Sequence, residues 1–161
     1  MTHEFRLLFL CTGNSARSQM AEAILNHKGA GLFHAESAGS RPAAQVHPYA
    51  IDTLRQNGVA WHGHPPRGVD GLEGEPWDFV ITVCDRAKES CPIFPGTPML
   101  AHWGMPDPAD AVGDDATRRA AFQNAYLLLS RRIELLLALP LEKLQRLALE
   151  ARVRAIGETQ S

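Results

Sequence analysis

The sequence is poor in cysteine: 161 residues hold three, Cys11, Cys84 and Cys91. A set that small excludes a disulfide framework as the main support of the fold and points to catalytic or redox use. An excess of one charge is missing as well. Lys and Arg number 16 against 18 Asp and Glu, a net charge of −2, which gives nucleic-acid binding no support. No apolar run is long enough to span a bilayer. The start, Met1-Thr2-His3-Glu4, lacks the charged and apolar regions of a signal peptide, so the expected compartment is the cytoplasm. Repeats, low-complexity tracts and a long linker are absent. His62 and His64 have no Cys or carboxylate cluster beside them at ligand spacing, so an ordinary loop is expected there rather than a metal site. The remaining composition, 45% hydrophobic and 21% charged, is that of one globular domain able to bury a real core.

The informative stretch is Cys11-Thr12-Gly13-Asn14-Ser15-Ala16-Arg17-Ser18. Before it, Phe5 to Leu10 reads as a buried strand. After it, Ser18 to Leu25 opens a helix that runs to about Lys28 before Gly29 and Gly31. The stretch is then a loop from a strand end into a helix N-terminus. Backbone N–H groups without helical partners, together with the helix dipole, make an oxyanion site there. A cysteine at its mouth exists partly as thiolate. Arg17 adds a planar fork suited to a tetrahedral oxyanion. Alone, Cys11 reads as a small buried hydrophobe and Gly13-Asn14 as a turn. The coincidence of strand, Cys, five intervening residues, Arg-Ser and helix favours a nucleophile facing a bound phosphate or arsenate.

The rest of the chain alternates in the same way. Strands are expected at Leu32–Gly39, Trp77–Cys84 and Pro98–Trp103, and helices at His47–Arg55, Ala116–Ala138 and, after Pro140, to about Gly157. This order predicts an α/β three-layer sandwich, a four-stranded parallel sheet with helices on both faces. Ligands of such sheets bind at the carboxyl ends of strands, where Cys11 and Cys84 both fall. Cys84 and Cys91 enclose a polar segment and precede Pro92. Taken alone they read as two unrelated thiols; beside a nucleophilic Cys11 they read as a redox relay. Asp107, between Pro106 and Pro108, sits on a stiff loop.

The Cys-x5-Arg-Ser loop at the first strand resembles that of the low-molecular-weight tyrosine phosphatase fold. Its extension through Gln19-Met20-Ala21-Glu22 is similar to the arsenate reductases sharing that fold. The resemblance covers Phe5 to Leu139 and implies one domain over residues 1–139, with 140–161 an added C-terminal helix of the same domain. It implies an oxyanion cradle of Thr12, Gly13, Asn14, Ser15, Ala16, Arg17 and Ser18, with Cys11 as nucleophile and Asp107 as general acid. It implies that Cys84 and then Cys91 carry a disulfide onward to thioredoxin or glutaredoxin. Arsenate is the implied substrate, phosphate the competing oxyanion, and no cofactor, metal, nucleic acid or membrane is called for. Ser18 is expected to hydrogen-bond Cys11, and Asn14 to hold the loop's shape.

The sequence also departs from the resemblance. Ala16 stands where many such reductases have a further cysteine. Arg67 stands where a potassium-binding Asp joins residues matching Asn14, Glu22 and Ser37, so no potassium dependence is expected. Two other readings stay open. A low-molecular-weight phosphatase would use Cys11, Arg17 and Asp107 without Cys84 or Cys91, and some phosphatase activity is compatible with a reductase. Ala109-Asp110 after the Asp-Pro pair, in place of aromatics, argues against phosphotyrosine. A non-catalytic oxyanion sensor would not need Cys11, Arg17, Ser18 and Asp107 together.

Overall fold

The computed structural model describes residues 4–86, 88–89, 92–96, 98–142 and 146–159. The elements run β1 (Phe5–Cys11), α1 (Arg17–Lys28), β2 (Phe33–Gly39), α2 (Pro48–Gln56), β3 (Phe79–Thr82), β4 (Met99–His102), a 3-10 turn (Pro108–Asp110), α3 (Asp115–Leu137) and α4 (Arg146–Ile156). All strand pairs are parallel, in the order β2-β1-β3-β4. The four-stranded parallel sheet is therefore as the alternation predicted, but the helices expected on both faces all contribute to one core, and turn-rich segments cover the other face.

The two covers differ. Leu7, Phe9 and Cys11 face a core that includes residues of α1, α2, α3 and α4. Leu8, Leu10 and Val80 face the other way, onto Leu72, Trp77 and Phe94 from turn-rich segments. Strands buried on both sides carry apolar residues at successive positions, as Leu7-Leu8-Phe9-Leu10 and Phe79-Val80-Ile81 do. β3 is shorter than the apolar run from Trp77 to Cys84 because only Phe79–Thr82 pair in the ladder. Trp77 instead packs in the second core and donates from its indole to the Leu72 carbonyl, 2.8 Å.

Local chemistry sets the helix ends. The His47 Nδ1 accepts the Tyr49 N–H (3.1 Å) and Pro48 opens α2, a favoured first-turn residue. Asp114 caps α3 by accepting the Thr117 N–H at 2.8 Å. α1 starts after Ala16 with no side-chain cap, so its first amides stay available to a ligand. α4 packs Leu149, Val153 and Ile156 into the main core. Buried Arg132 fastens it, giving hydrogen bonds to the carbonyls of Trp103 and Gly104 at one end and Gly157 and Thr159 at the other.

The chain places β2 to one side of β1 and β3 to the other. The crevice at such a reversal, beyond the carboxyl ends, is where open α/β sheets bind ligands. Cys11 ends one flanking strand, and Cys84 lies two residues beyond the other.

Candidate active site

The loop after β1 is held from outside by its carbonyls. Those of Cys11, Thr12, Gly13 and Ser15 accept N–H groups of Ser40, Arg41, Ala43 and His47 at 2.8–3.2 Å. The N–H groups of Gly13, Ser15 and Ala16 have no protein acceptor among the described residues. Loop amides left open beside an uncapped helix start make an anion-binding concavity.

Asn14 sets the shape. It is fully buried and left-handed, with φ 51°, a conformation that Asn tolerates better than most residues. Its Nδ2 donates to Ser18 Oγ (2.8 Å) and Ser37 Oγ (2.9 Å), and its Oδ1 accepts the Arg67 N–H at 3.1 Å. Ser37 in turn donates to Glu22 Oε1 at 2.9 Å, and His64 Nε2 lies 3.1 Å from the same oxygen. Burial raises the Glu22 pKa despite the Ser37 and His64 contacts. Gly39 permits the close approach of β2, since a Cβ there would lie 2.5 Å from the Thr12 carbonyl and 2.9 Å from the Asn14 nitrogen.

Cys11 is a buried free thiol. Its Sγ is 2.9 Å from Ser18 Oγ and 3.2 Å from the Asn14 nitrogen, whose N–H points to it. Ser18 already accepts from Asn14, so its own proton is free to go to the sulfur. Two donors thus converge on the atom expected to attack.

Arg17 stands opposite, 3% exposed at its side chain. Its NH1 donates to the Met105 carbonyl (3.1 Å), and its NH2 lies 3.5 Å from Asp107 Oδ2. The same two nitrogens grip the Glu89 carboxylate at 2.6 and 2.7 Å. Burial would lower the Arg17 pKa, but the Glu89 hydrogen bond and the charges of Asp107 and Cys11 outweigh it and leave it raised. The Arg17 bond pulls the Glu89 pKa down to about 2. Arg17 Nε is buried without a partner among the described residues. Asp107 has two uses: Oδ1 caps the 3-10 turn through the Ala109 N–H (3.0 Å), while Oδ2 turns to Arg17.

Cys84 is fully buried and disulfide-bonded. The backbone just before it is tied to β1, because the Val83 N–H donates to the Leu10 carbonyl at 2.8 Å. Cys91 lies outside the described residues, as does Ala87. Among the described residues, no group of three or more His, Cys, Asp or Glu could hold a metal ion, and no helix is long and apolar enough to cross a membrane.

The structure thus brings Cys11, Asn14, Arg17, Ser18 and Asp107 into one site, with Cys84 at the adjoining strand end. Glu89 was missed by sequence reasoning. A carboxylate in a polar stretch carries no local mark, and its partner is 72 positions away. The role of Gly39 in admitting the loop was missed as well, since in sequence it reads only as the end of a strand.

The low molecular weight phosphotyrosine protein phosphatase family model matches residues 6–149. An arsenate reductase of Halalkalibacterium halodurans is 34% identical over 128 residues, 80% of this chain and 91% of that one. The structure of an arsenate reductase from Archaeoglobus fulgidus matches with TM-score 0.63 and 30% identity, covering 80% of this chain and 98% of that one. A thioredoxin-dependent arsenate reductase of Corynebacterium glutamicum matches with TM-score 0.57 and 26% identity, covering 82% of this chain and 63% of that one. The chain therefore belongs to the low molecular weight phosphotyrosine protein phosphatase family, and it has arsenate reductases as its relatives there.

Proposed function

We propose that the protein reduces arsenate to arsenite through a relay of Cys11, Cys84 and Cys91, with thioredoxin or a similar dithiol as electron donor. The carrying observation is the pairing at one sheet edge of a free thiol facing a buried arginine with a second cysteine in the disulfide state. The named activity of the relatives supports the same reading.

Arsenate sits on the open loop amides and Arg17, which stabilise its charge without reorganising. The Cys11 thiolate attacks arsenic, an S–As bond forms, and an oxygen departs as water with a proton from Asp107. The Cys84 thiolate then attacks the Cys11 sulfur. The S–As bond breaks, its electron pair stays on arsenic, and arsenite leaves. Cys91 attacks the Cys84 sulfur and releases Cys11 as thiolate, leaving a Cys84–Cys91 disulfide. An external dithiol supplies two electrons and two protons to open it and is itself oxidised.

Arsenate-dependent NADPH oxidation with thioredoxin and its reductase tests this scheme. Cys11→Ser, Cys84→Ser and Cys91→Ser are each expected to lose turnover to background. Turnover surviving in Cys84→Ser or Cys91→Ser would sink the relay. One observation favours a second, slower activity on phosphate monoesters: Asp107 borders an apolar groove of Met105, Pro106, Pro108, Ala111 and Leu128 that suits an organic leaving group. That activity is expected to need Cys11 and to survive Cys84→Ser, read as release of p-nitrophenol from its phosphate.

A further inference from the structure

The arginine fork of the oxyanion site already holds an anion supplied by the chain itself. Glu89 Oε1 and Oε2 take the two terminal nitrogens of Arg17 at 2.7 and 2.6 Å. Oε1 also accepts the Thr12 hydroxyl of the loop at 2.7 Å. We propose that Glu89 is an internal ligand of the oxyanion site, seated while Cys84 is in a disulfide, so that the oxidised protein shuts out oxyanions until it is reduced. This rests on the Cys11–Ser18 loop being the oxyanion site, as read above.

Three features carry it. First, the geometry is that of the ligand displaced. A guanidinium binds two oxygens side by side, whether they belong to a carboxylate or to a tetrahedral oxyanion. Glu89 takes both terminal nitrogens and leaves only the buried Nε without a partner among the described residues, so an oxyanion cannot share the terminal face with it, and their like charges oppose sharing the pocket. Second, the contact is not a surface ion pair. The side chains of Arg17 and Glu89 are only 3% and 17% exposed.

Third, the carboxylate is tied to the redox centre. Glu89 follows Cys84 by five positions and precedes Cys91 by two. Its N–H donates to the Asp85 carbonyl, and the Asp85 N–H donates back to Glu89 Oε2, both at 2.9 Å. The turn that begins beside Cys84 therefore aims the carboxylate, which competes at the high effective concentration of a tethered ligand. Glu89 stays ionised down to about pH 2, so protonation does not release it under ordinary conditions. Movement of the turn can. When an external dithiol gives two electrons and two protons to the disulfide, the S–S bond breaks, two thiols form, and the dithiol is oxidised. Cys84 then no longer ties the turn covalently.

The test is calorimetric titration of the full chain with inorganic phosphate, in oxidised and reduced forms, for wild type and Glu89→Gln. Oxidised wild type is expected to bind phosphate at least about tenfold more weakly than reduced wild type, the scale of one hydrogen-bonded charge pair. Oxidised Glu89→Gln is expected to regain the reduced affinity. Glu89→Asp, which keeps the charge on a shorter arm, is expected to fall between and serves if the Gln variant unfolds. Equal phosphate affinity in oxidised wild type and oxidised Glu89→Gln overturns the proposal. A gain of equal size in both redox states overturns the redox gating. Reduced wild type that binds no phosphate overturns the parent reading of the loop.

Discussion

The two strand ends that carry Cys11 and Cys84 lie side by side on one sheet edge and are built in opposite ways. β1 runs into a loop whose Asn14, Arg17 and Ser18 are almost wholly buried and whose carbonyls are tied to residues 40–47. β3 runs into a polar turn in which Arg86 and Lys88 are exposed and Glu89 makes the contacts to the loop. The difference matches two tasks. Attack on an oxyanion gains from groups fixed before the substrate arrives. Passing a disulfide, as the proposed relay requires, needs sulfurs that meet in turn.

The largest effect that separates the two sides is expected from Arg17→Lys. A lysine keeps the charge but loses the fork that takes two oxygens at once. The kcat/KM for arsenate in the thioredoxin-coupled assay is expected to fall about 10²–10³-fold, the cost of removing a fixed oxyanion donor. Activity within about threefold of wild type would mean that the fixed side of the comparison does not stabilise the transition state.

A second, smaller effect concerns stability. In Gly39→Ala the new Cβ meets backbone at 2.5 Å, the Thr12 carbonyl, rather than a side chain that can swing away. Overpacking of this kind costs about 2 kcal/mol, and the thermal midpoint is expected to drop by about 4–8 °C. Lys88→Ala, at an exposed position of the turn, is expected to change it by no more than about 1–2 °C. Similar drops in calorimetric scans would erase the contrast between a buried loop and an exposed position of the turn.

That contrast also explains what could be read from the sequence. β1, α1 and β2 fall within a residue of where periodicity and the glycines put them, because local pattern and tertiary burial agree there. Phe122, Ala125, Tyr126, Leu129, Ile133, Leu136 and Leu137 recur at helical spacing; all are buried on α3 except Leu137, which packs part-buried against the core. The nucleophile loop was legible for a related reason: its chemistry lies within eight consecutive residues. β3 was overextended because burial continues through Val83 and Cys84 where pairing stops. Glu89 was illegible because its meaning depends on a partner in a distant segment. A carboxylate near Lys88 and Arg86 reads as part of a solvated face until the fold brings Arg17 to it.

The smallest expected effect tests the outer wall of the rigid side. Arg67 lies against the groups that the resemblance ties to potassium. Its N–H donates to Asn14 Oδ1 (3.1 Å), its Nε to the Ser37 carbonyl (3.1 Å), and its NH2 to Glu36 Oε1 at 2.6 Å. Although burial alone would raise the Glu36 pKa, the Arg67 and His34 contacts leave it lowered. The guanidinium thus brings a positive charge of its own to this wall, and a second cation there would meet repulsion. Arsenate turnover is expected to be the same in potassium chloride and sodium chloride at one ionic strength. Holding ionic strength fixed matters, because screening alone changes how an anion reaches the site. Selective activation by potassium would mean that Arg67 leaves room for the ion, and that the loop is less completely fixed by the protein than the β1 side of the comparison requires.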